Sequence, residues 1–82
     1  MKRYFELDLQ KLMKEEDPIG TLLMWLGAPE WASSNLDALY DVLTDPEACY
    51  LVKLKGEIPT SAQKIHQVML DAARENPKFK LK

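Results

Sequence analysis

Three short stretches of the chain have the hydrophobic pattern of β-strands. Residues 3–8 and 50–54 combine apolar and aromatic side chains over strand-like lengths, and residues 78–82 alternate lysine with apolar side chains. Lysines in the last stretch favour an edge position, where they would discourage further strand pairing. The pattern therefore predicts three strands.

The hydrophobic residues between these stretches recur at the spacing of helices. Apolar side chains at i, i+3, i+4 and i+7 predict one helix over residues 18–26, and a similar pattern predicts a second over about 35–44. A third apolar stripe begins near Thr60 and stops at Asn76. Residues 9–16 are ambiguous, because their few apolar positions lie among lysines and glutamates.

Candidate capping residues mark the start of each helix. Asp17 precedes a proline at the first helical position, and Ser33 or Ser34 could cap the second helix. Thr60 and Gln63 have the spacing of a capping box. Because helices join successive strands, the strands are expected to be parallel. The sequence thus predicts an α/β fold, a small three-stranded parallel sheet with helices packed mainly on one face.

The length and composition bound the function. With 82 residues the chain makes one small domain, assigned to residues 1–82. Its hydrophobic fraction of 46% and charged fraction of 29% exclude a disordered or low-complexity segment. A domain of this size has little room for both a core and a buried catalytic cavity. A binding module is therefore favoured over an enzyme.

The charges are distributed unevenly along the chain. Residues 15–52 contain eight carboxylates and no lysine or arginine, whereas the remainder has five acidic and eleven basic residues. The chain therefore divides into parts of formal charge −8 and +6 within a net charge of −2. Such an acidic region attracts basic partners and repels nucleic acid.

The chain offers few residues for catalysis. It has one cysteine, Cys49, and one histidine, His66, and it lacks the phosphate-binding, zinc-protease and nucleophile-elbow motifs. We therefore predict that it is not an enzyme and that it binds no cofactor or metal. A single cysteine and an amino end without an apolar signal core indicate a reduced, cytoplasmic setting.

The second helix has a polar side that suits a protein interface. At 100° per residue, Leu39, Val42 and Leu43 lie on one apolar arc. The opposite arc carries two carboxylates, an aromatic ring and a hydroxyl, namely Asp37, Asp41, Tyr40 and Thr44. Trp31 precedes the helix in the same acidic stretch. An ordinary solvated helix face with Trp31 in the core is the alternative interpretation, and the pattern alone leaves both open.

Residues 29–44, with the sequence PEWASSNLDALYDVLT, resemble the signature of barstar-like ribonuclease inhibitors. The segment NLDALYDVL at residues 35–43 carries the resemblance, because eight defined positions at fixed spacing rarely coincide by chance. The chain departs from the family pattern at Ala32-Ser33, where an aromatic residue and a glycine are usual. Tyr40 occupies a position where tryptophan is common.

The resemblance implies a barstar-like fold and a bacterial, cytoplasmic inhibitor of a basic, extracellular-type microbial ribonuclease of the guanyl-specific type. This would be immunity of the toxin–antitoxin type, in which the second predicted helix and the loop before it block the active site of the enzyme. By position, Asp41 would be the main phosphate mimic and Asp37 the second carboxylate. Trp31 would be the loop aromatic, with Tyr40 and Thr44 flanking the contact.

Two other hypotheses remain. The chain could be an adaptor that uses the same acidic helix on another basic protein without inhibiting it. An enzyme that uses Cys49 or His66 is the third possibility. We expect the partner to be a protein, nucleic acid and membranes not to be bound, and the free protein to be a monomer.

Overall fold

The strands form one parallel sheet. In the computed structural model, which describes residues 3–28, 34–46 and 49–82, the strands are β1 (Arg3–Asp8), β2 (Tyr50–Lys55) and β3 (Phe79–Leu81). Their order is β1-β2-β3, and both pairs are parallel. This confirms the predicted α/β class and the three-stranded parallel sheet.

Within the described residues, four α-helices connect the strands. They are α1 (Leu9–Leu12), α2 (Pro18–Trp25), α3 (Leu36–Thr44) and α4 (Gln63–Glu75), and a 3₁₀ turn at Thr60–Ala62 leads into α4. Residues 9–16, whose pattern was ambiguous, begin with the single turn α1. The first and last residues of α1 are leucines three positions apart, and both are buried on one side of the turn.

The helix starts agree with the sequence in one case and differ in two. The Asp17 carboxylate accepts a hydrogen bond from the Gly20 amide at 3.1 Å, as expected for the cap of α2. Asn35 caps α3 instead of a serine, since its side-chain oxygen accepts from the Ala38 amide at 2.8 Å. The capping box at Thr60 is wrong, because a 3₁₀ turn precedes α4 and neither start has a side-chain cap.

One face of the sheet is covered and the other is open. The register places Leu7 beside Leu54 and Val52 beside Leu81, on the face that the helices cover. Leu7, Val52 and Phe79 are buried there. The opposite face carries exposed side chains on all three strands, namely Tyr4, Glu6, Lys53, Lys55 and Lys80. Helices therefore pack on one face, as predicted.

The core fixes α3 against the rest of the molecule. Its Leu39 and Leu43 belong to a buried cluster that includes residues of α2, α4 and all three strands. A buried amide adds a directional contact, since Asn76 Nδ2 after α4 donates to the Leu43 carbonyl oxygen at 2.8 Å. The Asn76 Oδ1 accepts from the Lys78 amide at 3.0 Å, which orders the turn into β3. The end of α3 is thus tied to the end of α4.

Candidate protein-binding site

The apolar side of α3 faces the core and its carboxylates face solvent. Leu39 and Leu43 have no exposed surface, whereas Asp37 and Asp41 are exposed. Residues four apart on a helix share a face, so the two carboxylates lie on one side of α3. Because the buried leucines anchor the helix, the two acidic groups project from a fixed support.

Tyr40 and Thr44 are half-buried beside the two carboxylates. The Thr44 hydroxyl donates a hydrogen bond to the Tyr40 carbonyl oxygen at 2.7 Å. The proton of the hydroxyl is therefore used within the helix, and its oxygen can still accept a bond from a partner. The Tyr40 side chain packs partly against the core cluster, which limits the directions in which its ring can point.

A groove runs between α3 and α4 and contains part of the predicted site. It has a volume of about 650 Å³ and is lined by Leu36, Asp37, Tyr40, Val68, Asp71, Arg74 and Glu75. Asp37 and Tyr40 thus share one surface, with apolar side chains beside them. Asp41 and Thr44 are outside the lining among the described residues, although both belong to α3.

Two acidic residues of α4 are close to α3 but were not among the predicted site residues. Asp71 and Glu75 line the groove together with Asp37, so both helices contribute carboxylates. The spacing Val68, Asp71, Glu75 already places these residues on one side of a helix. The sequence does not show that this side faces α3, because that depends on how the two helices pack.

Trp31 lies outside the described residues, together with Pro29, Glu30, Ala32 and Ser33. Its role as the loop aromatic therefore stays a prediction. The described site begins at Ser34, immediately before the cap of α3.

The arrangement is suited to binding cationic groups on a protein surface. Exposed carboxylates accept charge-assisted hydrogen bonds from arginine, lysine or protonated histidine. Among the described residues, no group of three or more histidine, cysteine or acidic side chains is placed to hold a metal ion. Within the same described residues, no helix has both the length and the apolar composition needed to cross a membrane.

Comparison with protein-family models identifies a family for this chain. The family model described as Barstar (barnase inhibitor) matches residues 2–82. Neither the comparison with curated proteins nor that with solved structures gives a match. Members of the matched family are inhibitors that bind a ribonuclease, and they are not enzymes. The match spans nearly the whole chain and includes α3 and the α3–α4 groove, so this chain belongs to the Barstar (barnase inhibitor) family.

Proposed function

We propose that this protein inhibits a basic ribonuclease of the guanyl-specific type by covering its active site with the exposed side of α3 and the loop before it. The observation that carries the proposal is the pair Asp37 and Asp41, exposed on a helix whose opposite side is anchored by the buried Leu39 and Leu43. Such a helix presents negative charge with little freedom to lose on binding.

The chemistry of the enzyme explains why carboxylates would block it. A ribonuclease binds the phosphates of RNA with cationic side chains, and a carboxylate offers the same groups an anionic hydrogen-bond acceptor. Asp41, in the middle of α3, would be the main phosphate mimic. Asp37, in the first turn, would be the second carboxylate and is favoured there by the helix dipole.

The remaining predicted contacts would surround the two carboxylates. Trp31 and Tyr40 would supply apolar contact area, and the Thr44 oxygen would accept a hydrogen bond at the edge. Aromatic residues around a desolvated charge pair exclude water and so strengthen the charged contact. The groove residues Asp71 and Glu75 extend the acidic surface toward α4.

The proposed setting is the cytoplasm of a bacterium that makes and secretes the ribonuclease. A monomeric inhibitor there would protect the cell from enzyme that has not been exported. The acidic region would raise the association rate with a basic enzyme through long-range attraction.

The test is an inhibition titration of a guanyl-specific microbial ribonuclease with the native protein and with Asp41→Ala. We expect stoichiometric inhibition by the native protein. Loss of one partner of a buried charge pair costs about 2–5 kcal/mol in binding free energy. Measurements on the family's prototype complex are among those behind this range. Asp41→Ala should therefore weaken inhibition strongly.

Glu16→Ala is the matched control, because it removes one exposed carboxylate from the turn before α2. It should change mainly the association rate and its dependence on salt. Equal, modest losses in the two variants would contradict a blocked active site. Binding without inhibition would instead support an adaptor that uses the same helix.

A further inference from the structure

A guanidinium lies in the groove that the three carboxylates line. Among the described lining residues, Arg74 is the one cation, beside Asp37, Asp71 and Glu75. It comes from the last turns of α4, whereas Asp37 comes from the first turn of α3. A surface that acted only by attracting a basic enzyme would be weakened by this charge.

The guanidinium contacts a carboxylate on its own helix. It forms an ion pair with Asp71 Oδ1, three residues earlier, and the same oxygen accepts a hydrogen bond from Gln67 Nε2 at 3.0 Å. The Arg74 side chain is nevertheless 74% exposed. A guanidinium has five N–H donors, so its contact with one carboxylate oxygen leaves donors for a partner. Arg74 thus combines an ion pair within α4 with N–H donors that a partner could reach.

We propose that Arg74 is a specificity-determining residue, whose guanidinium donates hydrogen bonds to a carboxylate or carbonyl oxygen beside the active site of the ribonuclease. This inference rests on the proposed inhibitory function. The acidic residues attract basic ribonucleases in general, and Arg74 selects those that have an acceptor opposite the α4 side of the groove. An enzyme with a cation there would be disfavoured by repulsion.

The rate constant that Arg74→Ala changes distinguishes a residue that contacts the enzyme from one that does not. Removing a positive charge makes the inhibitor more acidic, which should speed its association with a basic enzyme at low salt. If Arg74 did not contact the enzyme, its replacement would change only the association rate constant. Loss of a charge-assisted hydrogen bond instead speeds dissociation, and we expect about a tenfold increase in the dissociation rate constant.

The experiment first tests whether the native protein inhibits a guanyl-specific microbial ribonuclease, and then measures association and dissociation rate constants against that enzyme. Lys80→Ala is the matched control, since it removes one exposed positive charge from the open face of the sheet. Arg74→Lys keeps the charge and loses the planar donor geometry. Thermal unfolding of each variant checks that the fold is retained.

The inference predicts faster dissociation for Arg74→Ala, little recovery in Arg74→Lys, and unchanged dissociation for Lys80→Ala. Inhibition by the native protein combined with an unchanged dissociation rate in Arg74→Ala overturns this inference and leaves the proposed function standing. Full recovery by lysine also overturns it, because charge alone would then suffice. Absence of inhibition by the native protein overturns the proposed function and this inference with it.

Discussion

The start of α3 is decided by a single side chain. Ser33, Ser34 and Asn35 are consecutive residues of types that commonly cap helices, and the sequence pattern favoured a serine. The bond from the Ala38 amide to Asn35 assigns the cap to the asparagine. The residue that caps the helix is the one whose side chain reaches an unbonded backbone amide of the first turn, and the residue type alone does not show which residue that is.

Asn35→Ala should destabilise the protein by about 1 kcal/mol, because the first turn of α3 loses its side-chain acceptor. The difference in the free energy of unfolding can be measured by urea denaturation. Ser34→Ala is the matched control, with an expected change below about 0.5 kcal/mol for an exposed residue. A larger loss in Ser34→Ala than in Asn35→Ala would contradict the assigned cap.

At the scale of elements, the relation between α3 and α4 determines the shape of the site. The hydrophobic patterns predicted both helices and the buried leucines of α3 without structural information. They could not predict that Asp71 and Glu75 would line a groove with Asp37. A helical pattern shows which residues share one side of a helix, but it does not show which other element packs beside that side. Asn76 is one residue that fixes this packing.

Asn76→Ala should cost about 1–3 kcal/mol in the free energy of unfolding, since the Leu43 carbonyl loses a buried donor. Asn76→Asp keeps an acceptor for the Lys78 amide and places a second oxygen against that carbonyl, so it should be no better tolerated. Urea denaturation of both variants tests this. Stability within about 0.5 kcal/mol of native in either variant would show that the amide does not tie the two helices.

The pairing of β1 and β2 includes a pH-dependent contact. A hydrogen bond from Lys55, reinforced by its charge, lowers the pKa of the Glu6 carboxyl in the folded protein. The folded state therefore binds this proton less readily than the unfolded chain. The resulting stability is present above the ordinary glutamate pKa and is lost as the pH falls through the lowered value.

Glu6→Gln should therefore be slightly less stable than the native protein at neutral pH, and the difference should shrink as the pH falls. Both residues are exposed, so high salt should reduce the difference as well. Urea midpoints from neutral pH to about pH 3 measure it. A difference that grows toward acid pH would contradict the assigned contact.

Across the whole molecule, the sequence was most informative where regular patterns repeat. Alternating strands and helices predicted the parallel sheet, and the lysines at 78, 80 and 82 correctly indicated an edge strand. The paired acidic residues of α3 were found from helical spacing alone. The α4 side of the groove was missed, because it forms only when residues 28–39 positions apart in the chain come together.

The charge distribution connects the fold to the proposed function. Exposed lysines lie on the open face of the sheet, while α3 presents carboxylates and contains no basic residue. Because the helices cover the other face of the sheet, the lysines of the open face are kept away from the α3 surface, and Arg74 of α4 is the cation that lines the described part of the α3–α4 groove. A basic enzyme would therefore be attracted to α3 in preference to the open sheet.

The most direct test of the central claim is competition between this protein and guanosine 3′-monophosphate for a guanyl-specific microbial ribonuclease. The nucleotide places a phosphate in the active site, where the proposed inhibitor would place Asp41. We predict that the apparent dissociation constant of the protein rises in proportion to the nucleotide concentration once the active site is saturated. A dissociation constant that stays unchanged at saturating nucleotide would show that α3 does not occupy the active site.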